Sequence, residues 1–170
     1  MKKLSSFLVI LTCLTLLTCK PKREPGKTYF DKPSKYNDYI VTEQKDVMSH
    51  FDDFAAAVNT GDKDSMSFMR KTLFDRAEHA ESKMLVLSDY KGDTLFRYHA
   101  LELFRYVKYA CDHELKDIFM LASKDSALSE IDVENIRIMS DTYTAKEKEK
   151  NDALIDAQEK FAYKFNVKIN

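Results

Sequence analysis

The sequence predicts an all-α fold, an antiparallel up-down-up-down four-helix bundle, and three observations carry the prediction. All three prolines lie at or before Pro33, and beyond it only Gly61 and Gly92 interrupt the chain. Helix interiors exclude proline and disfavour glycine, so such a run is a helical signature. The two glycines sit in matched phrases, NTGDKDSM and DYKGDTLF, and between the breaks apolar residues recur at intervals of three and four.

The first helix, about 36 to 60, carries Tyr36, Ile40, Val47, Phe51, Phe54 and Val58 on one face. It ends at Gly61, and Asp62 or Asp64 caps the next. Helix two, about 63 to 90, carries Met66, Met69, Leu73, Ala77, Ala80, Met84 and Leu87. The third, about 94 to 124 and capped by Asp93, shows Phe96, Ala100, Leu103, Val107, Cys111, Ile118 and Leu121. Ser129 and Asp132 form an S-x-x-D capping pattern for the fourth, about 130 to 167, with Ile136, Met139, Tyr143, Leu154, Ala157, Phe161 and Phe165. Acidic residues open that helix and lysines close it, as the helix dipole prefers. Four long helices with short connections alternate in direction. The methionine and aromatic stripes are therefore core, with Cys111 a buried, inert thiol among them.

The start of the chain is different. Met1-Lys2-Lys3 precedes a mostly apolar stretch from Leu4 to Thr18. A basic head before such a stretch is the pattern of a secretory signal peptide, short of the about 20 apolar residues that a spanning helix needs. The stretch ends Leu16-Leu17-Thr18-Cys19, which resembles the bacterial lipoprotein box, with Thr18 where Gly, Ala or Ser is usual. By that resemblance residues 1–18 are a lipoprotein signal peptide. Cys19, whose thiolate is a good alkylation nucleophile, takes the lipid and begins the mature chain. Cys13 is the rival position, but cutting there leaves Leu14 to Leu17 exposed on the product. An uncleaved anchor or an unlipidated signal peptide is the other reading.

Residues 19–35 follow as a flexible basic tether, and residues 36–170 form the bundle. Residues 1–35 hold eight Lys/Arg against two Asp/Glu, a charge of +6, which leaves −7 on the body. The tether's lysines either rest on anionic head groups or simply solvate the linker. An acidic body is a poor partner for nucleic acid, whose phosphates call for clustered Lys/Arg. With Cys13 and Cys19 accounted for, Cys111 alone remains, so no intradomain disulfide forms and packing holds the body together.

The phrases YNDYIVTEQ (36–44), SDYKGDTLFRYHALELF (88–104) and AQEKFAYKFN (157–166) resemble a family of uncharacterised bacterial surface lipoproteins catalogued in spirochaetes such as leptospires. The resemblance implies exposure at the cell surface and carries no reaction.

Catalytic and cofactor patterns are missing. The residues three before His50, His79, His99 and His113 are Val47, Arg76, Phe96 and Ala110, so the Glu-x-x-His of di-iron bundles does not occur. One body cysteine excludes a thiolate zinc cluster, and Cys111 and His113, two apart, point in different directions on a helix. There is no G-x-S-x-G elbow and no glycine-rich phosphate loop. Asp89 and Asp93 offer oxygens to calcium, but capping explains Asp93 more simply. No metal, cofactor or catalytic residue is expected.

The stripe of the fourth helix is interrupted by TAKEKEKND, 144 to 152, where Glu147 and Lys150 share the face of Tyr143 and Leu154. Gln44 and Tyr106 come to the same level on the first and third helices. Buried charges persist only when paired and hydrogen-bonded, so Gln44, Tyr106, Glu147 and Lys150 form either a polar pocket or a place where the helix splays and its lysines reach water. Arg70 and Glu114 are a second candidate buried pair. Two functions follow. The first is a non-enzymatic, lipid-anchored protein of the cell envelope, at the outer membrane or cell surface, whose bundle binds an envelope or host protein. The alternative is a small-ligand or metal-binding bundle built on the four-residue polar layer.

Overall fold

The structure, a computed structural model, describes residues 23–124 and 127–169; the signal stretch, Cys13 and Cys19 lie outside them. It is an all-α helical bundle. Helix α1 spans Pro33–Thr60, α2 Lys63–Val86, α3 Leu95–Asp112, α4 Glu114–Ala122 and α5 Glu130–Phe165. Proline opens α1, where its fixed φ suits a first helical turn and its missing N–H costs nothing. Gly61 closes it in the left-handed conformation at φ 70°. Asp62, rather than Asp64, then caps α2 by accepting from the backbone N–H groups of Asp64 and Ser65 at 3.1 and 3.3 Å. At the start of α5 the capping box closes both ways: Asp132 N–H donates to Ser129 Oγ at 3.1 Å, and Ser129 N–H donates to the Asp132 carboxylate at 3.2 Å.

Three expectations are corrected. The third helix is two. It breaks at His113, with φ −122° and ψ −98°, between α3 and α4. No glycine or proline marks the place. Arg70 on α2 donates to the Cys111 carbonyl at 2.7 Å, so a partner from another helix takes a carbonyl that the next turn would have used. Asp93 does not cap α3, whose N-cap is Thr94 with no side-chain bond. Its carboxylate instead meets Lys164 on α5 at 3.3 Å. It closes the turn Tyr90–Asp93, whose central residues Lys91 and Gly92 both have positive φ. The tether does not stay free through Lys35, either. Thr28 N–H donates to Val86 O at 2.8 Å and Ser88 N–H to Thr28 O at 3.0 Å, while the Phe30 ring packs on Tyr39 at 5.1 Å.

The alternation of direction is visible in one aromatic cluster. Tyr36 at the start of α1, Phe96 at the start of α3 and Tyr90 before it surround Phe161 near the end of α5, at 5.2, 5.3 and 5.6 Å. This is the end where Thr28 docks; the α1–α2 turn and the α4–α5 connection lie at the other. The α1 and α5 backbones approach closely at few points, and large side chains span the gap. Among the described residues every core residue falls between Tyr36 and Ala162, so a chain from Arg23 to Asn170 retains that core and should fold on its own. Cys111 is fully buried within it, and burial pushes its thiol up to about 12.

Candidate functional site

The helical wheel places Gln44, Tyr106, Glu147 and Lys150 at one level, but their side chains do not close on one another. The Gln44 amide donates to Asn151 Oδ1 at 2.6 Å. Tyr106 donates to the Tyr143 carbonyl at 3.4 Å and stacks on its ring. Lys150 reaches across to Glu102 on α3 at 4.0 Å and leaves Glu147 alone. The cause is the length of the lysine stem, which carries the ammonium to a partly exposed carboxylate nearer water. Glu147 is half-buried, and its carboxyl is raised above the ordinary glutamate range by burial, then by Asp152, with Lys148 opposing. Gln44, Tyr106 and Lys150 thus each take a partner outside the four.

Arg70 and Glu114 do not pair either. The break between α3 and α4 presents Arg70 with the Cys111 carbonyl and with Asp112 at 3.8 Å. Glu114, on the far side of the break, faces Lys146 at 3.9 Å, and its second carboxylate oxygen is buried without a partner.

Glu147 yields a pH-dependent expectation. A carboxyl whose folded pKa is raised contributes stability below its unfolded pKa and loses it as pH rises through the folded value. At neutral pH the ionised Glu147 therefore costs stability. Glu147→Gln should raise the urea midpoint at pH 7, with the gain gone below about pH 4; Lys150→Ala should change stability by no more than about 1 kcal/mol. A Glu147→Gln gain that is absent at pH 7, or that persists at low pH, contradicts this placement.

Among the described residues a buried, paired carboxylate lies elsewhere. Glu43 on α1 is buried and accepts from Lys83 on α2 at 2.6 Å. The core spacing of α1 passes from Tyr36 and Ile40 through Glu43 to Val47, which is the signal that marks it. Glu81 on α2 likewise takes both Arg105 and Lys108 of α3.

Two surfaces stand apart from the packed seams. One is a cleft of about 130 Å³ between the second half of α1, α4 and the first half of α5. Phe51, Phe54 and Val58 wall it on α1, Leu115 and Ile118 on α4, and Tyr143 on α5, with Asn59, Ser140 and Thr144 also lining it. Tyr143 is 1% exposed, and its ring stacks on Phe51 at 4.7 Å. Its hydroxyl is buried without a partner, and burial, followed by the nearby Glu147 carboxylate, holds its pKa far above the ordinary tyrosine range.

The other surface is the end of the bundle away from Thr28. The first three turns of α5 contain no buried residue; Ile131 is 72% exposed, and Val133 and Ile138 are exposed beside it. Met120 on α4, Leu128 in the connection and Phe68 near the start of α2 add exposed apolar side chains at this end. Among the described residues no group of three or more His, Cys, Asp or Glu is placed to hold a metal ion, and no helix is long and apolar enough to cross a membrane. Compared with protein-family models, curated proteins and solved structures, the chain matches none.

Proposed function

We propose that this chain is a non-enzymatic, lipid-anchored protein of the cell envelope whose bundle presents its apolar tip to an envelope or host protein. The observation that carries the reading is a set of exposed apolar residues at the far end of the bundle. Ile131, Val133, Met120 and Leu128 lie at the end opposite the docked N-terminal segment, where Leu85, Val86, Leu95 and Tyr163 are also exposed. Exposed apolar patches on a soluble surface mark interaction sites, and an anchor on the N-terminal side would hold this tip away from the lipid. A protein partner also fits the acidic residues beside it, Glu130, Asp132 and Glu134, which disfavour an anionic membrane.

Two experiments test the reading. A photo-crosslinking residue placed at Ile131 on intact cells should give a discrete protein adduct, whereas the same residue at Lys148, exposed midway along α5, should not. Adducts that are missing, or equal at both sites, would remove the tip as a docking surface. Separately, Cys19→Ser should abolish incorporation of labelled palmitate and membrane attachment, and Cys13→Ser should leave both intact. Persistent labelling in Cys19→Ser, or loss only on changing Cys13, would overturn the anchor.

A further inference from the structure

The end of the bundle where Thr28 docks carries exposed lysines with tyrosine and aliphatic side chains among them. We infer that this end lies on an anionic lipid surface, its lysines meeting the head groups and its tyrosine and aliphatic side chains entering between them. The inference deepens the envelope reading and rests on it only for where such a surface is met; neither a lipid on Cys19 nor the tip enters the argument.

Charge is divided along the bundle axis. Residues 23–35, 87–98 and 161–169 make up the Thr28 end and hold eight Lys/Arg against four Asp/Glu, a charge of +4. Residues 57–68, 117–124 and 127–138 make up the tip and hold three against six, a charge of −3. Ion pairs within the basic end sharpen the division. Asp31 meets Arg23 at 2.9 Å, Asp89 meets Arg97 at 2.8 Å, and Asp93 meets Lys164 at 3.3 Å. Most of the acidic groups of this end are thereby neutralised. Lys32, Lys35, Lys91 and Lys168 stay exposed, with no ion pair among the described residues. A field of this polarity turns the basic end toward an anionic surface and the acidic tip away from it.

The uncharged side chains suit lipid. Tyr163 is 93% exposed, and Leu95, Tyr98 and Ile169 are exposed as well. The Asp93–Lys164 contact holds the last turn of α5 to the start of α3, so these residues come from adjoining elements. Tyrosine is enriched at membrane interfaces, where its ring sits at head-group level. A lysine stem lies along apolar surface while its ammonium stays with the charged layer. A protein partner would favour a different composition, since lysine is depleted from protein interfaces. Residues 1–22 also join the described chain at this end. Their sequence, apolar from Leu4 to Thr18 and basic at Lys20 and Lys22, is of the membrane-directed kind.

The test takes the chain from Arg23 to Asn170, which has neither the apolar stretch nor Cys19, and sediments it with vesicles. One set is phosphatidylcholine alone, and the other adds an equal part of phosphatidylglycerol. The chain should bind only the anionic set, and raised salt should release it. Each lysine near such a surface is worth about fivefold in affinity, so Lys35→Glu with Lys168→Glu should weaken binding more than about tenfold. Lys71→Glu with Lys148→Glu changes the net charge equally, on exposed positions roughly 20–25 Å from this end. That is beyond a Debye length, and the loss should stay under about twofold. The chain contains no tryptophan, so single reporters can be read in the full chain inserted in the anionic vesicles. Tyr163→Trp should show blue-shifted emission quenched by brominated lipid, and Ile131→Trp should show neither. Absent binding, equal binding to both vesicle sets, equal losses in the two double variants, or equal quenching at the two reporters would each overturn the inference. Palmitate labelling and crosslinking at the tip read other residues, so either reading can fail without the other.

Discussion

Phe161→Ala is expected to destabilise the bundle by about 3–5 kcal/mol, the usual cost of emptying a large aromatic side chain from a core. Phe161 is fully buried where four segments meet. Tyr36 approaches from α1, Tyr90 from the α2–α3 connection and Phe96 from α3, with Phe165 one turn along its own helix at 4.8 Å. Neighbours anchored on separate elements cannot all collapse into the space a methyl leaves, so most of the cavity persists. Native domains hold only about 5–15 kcal/mol in total, so the variant sits near the threshold of folding. Urea unfolding of the chain from Arg23 should show a large fall in midpoint with an unchanged slope. Tyr163→Ala, two residues away and 93% exposed, should change stability by no more than about 0.5 kcal/mol. A fall of under about 1 kcal/mol for Phe161→Ala would mean the cluster is loosely packed.

The second large effect concerns Glu43 and Lys83. Removing one partner of a buried pair costs about 3–5 kcal/mol, because the other charge is left without compensation. The Lys83 side chain is 32% exposed and that of Glu43 only 9%, so the lysine keeps part of its water while the carboxylate does not. Solvent screening on the lysine side brings the expectation for Lys83→Ala down to about 2 kcal/mol. Part of that comes from the ammonium's place over the Tyr39 ring, at 5.6 Å. Glu43→Leu combined with Lys83→Met should recover most of the loss, since an apolar pair of similar volume carries no desolvation cost. A double-mutant cycle reads the coupling directly. If Lys83→Ala is neutral, or if the double variant is worse than the sum of the singles, the pair is not the buried contact described.

What the sequence made legible was set by local rules. Gly61, Asp62 and the Ser129–Asp132 box act within one turn of themselves, and each marks a boundary the structure keeps. The apolar stripes act over one helix, and they name most of the core. Most of the failures involve a side chain whose partner stands on another element; the docking of Thr28 is instead made by backbone groups. Arg70 splits the third helix from 41 residues away in the chain. Asp93 forgoes its cap for Lys164 on α5. Lys150 passes over Glu147 for Glu102, so a correct position on the helical wheel gave a wrong contact. The cleft was invisible for a related reason. It lies between α1, α4 and α5, where amide pairs such as Gln44–Asn151 and stacked rings bridge α1 and α5, and spacing between helices is written in neither stripe alone.

The docked N-terminal segment has a mechanical consequence. Any pull on the chain from the N-terminal side of Arg23 reaches Thr28 before it reaches Pro33. There it meets two backbone hydrogen bonds, to Val86 and Ser88, at the partly exposed edge of the α2–α3 connection. These stand in series with the core and are far weaker than it, so they part first under load. Once Phe30 also leaves Tyr36 and Tyr39, Thr28 to Lys32 are freed, five residues that span at most roughly 17 Å at full extension. Under such a load the segment gives way before the bundle does.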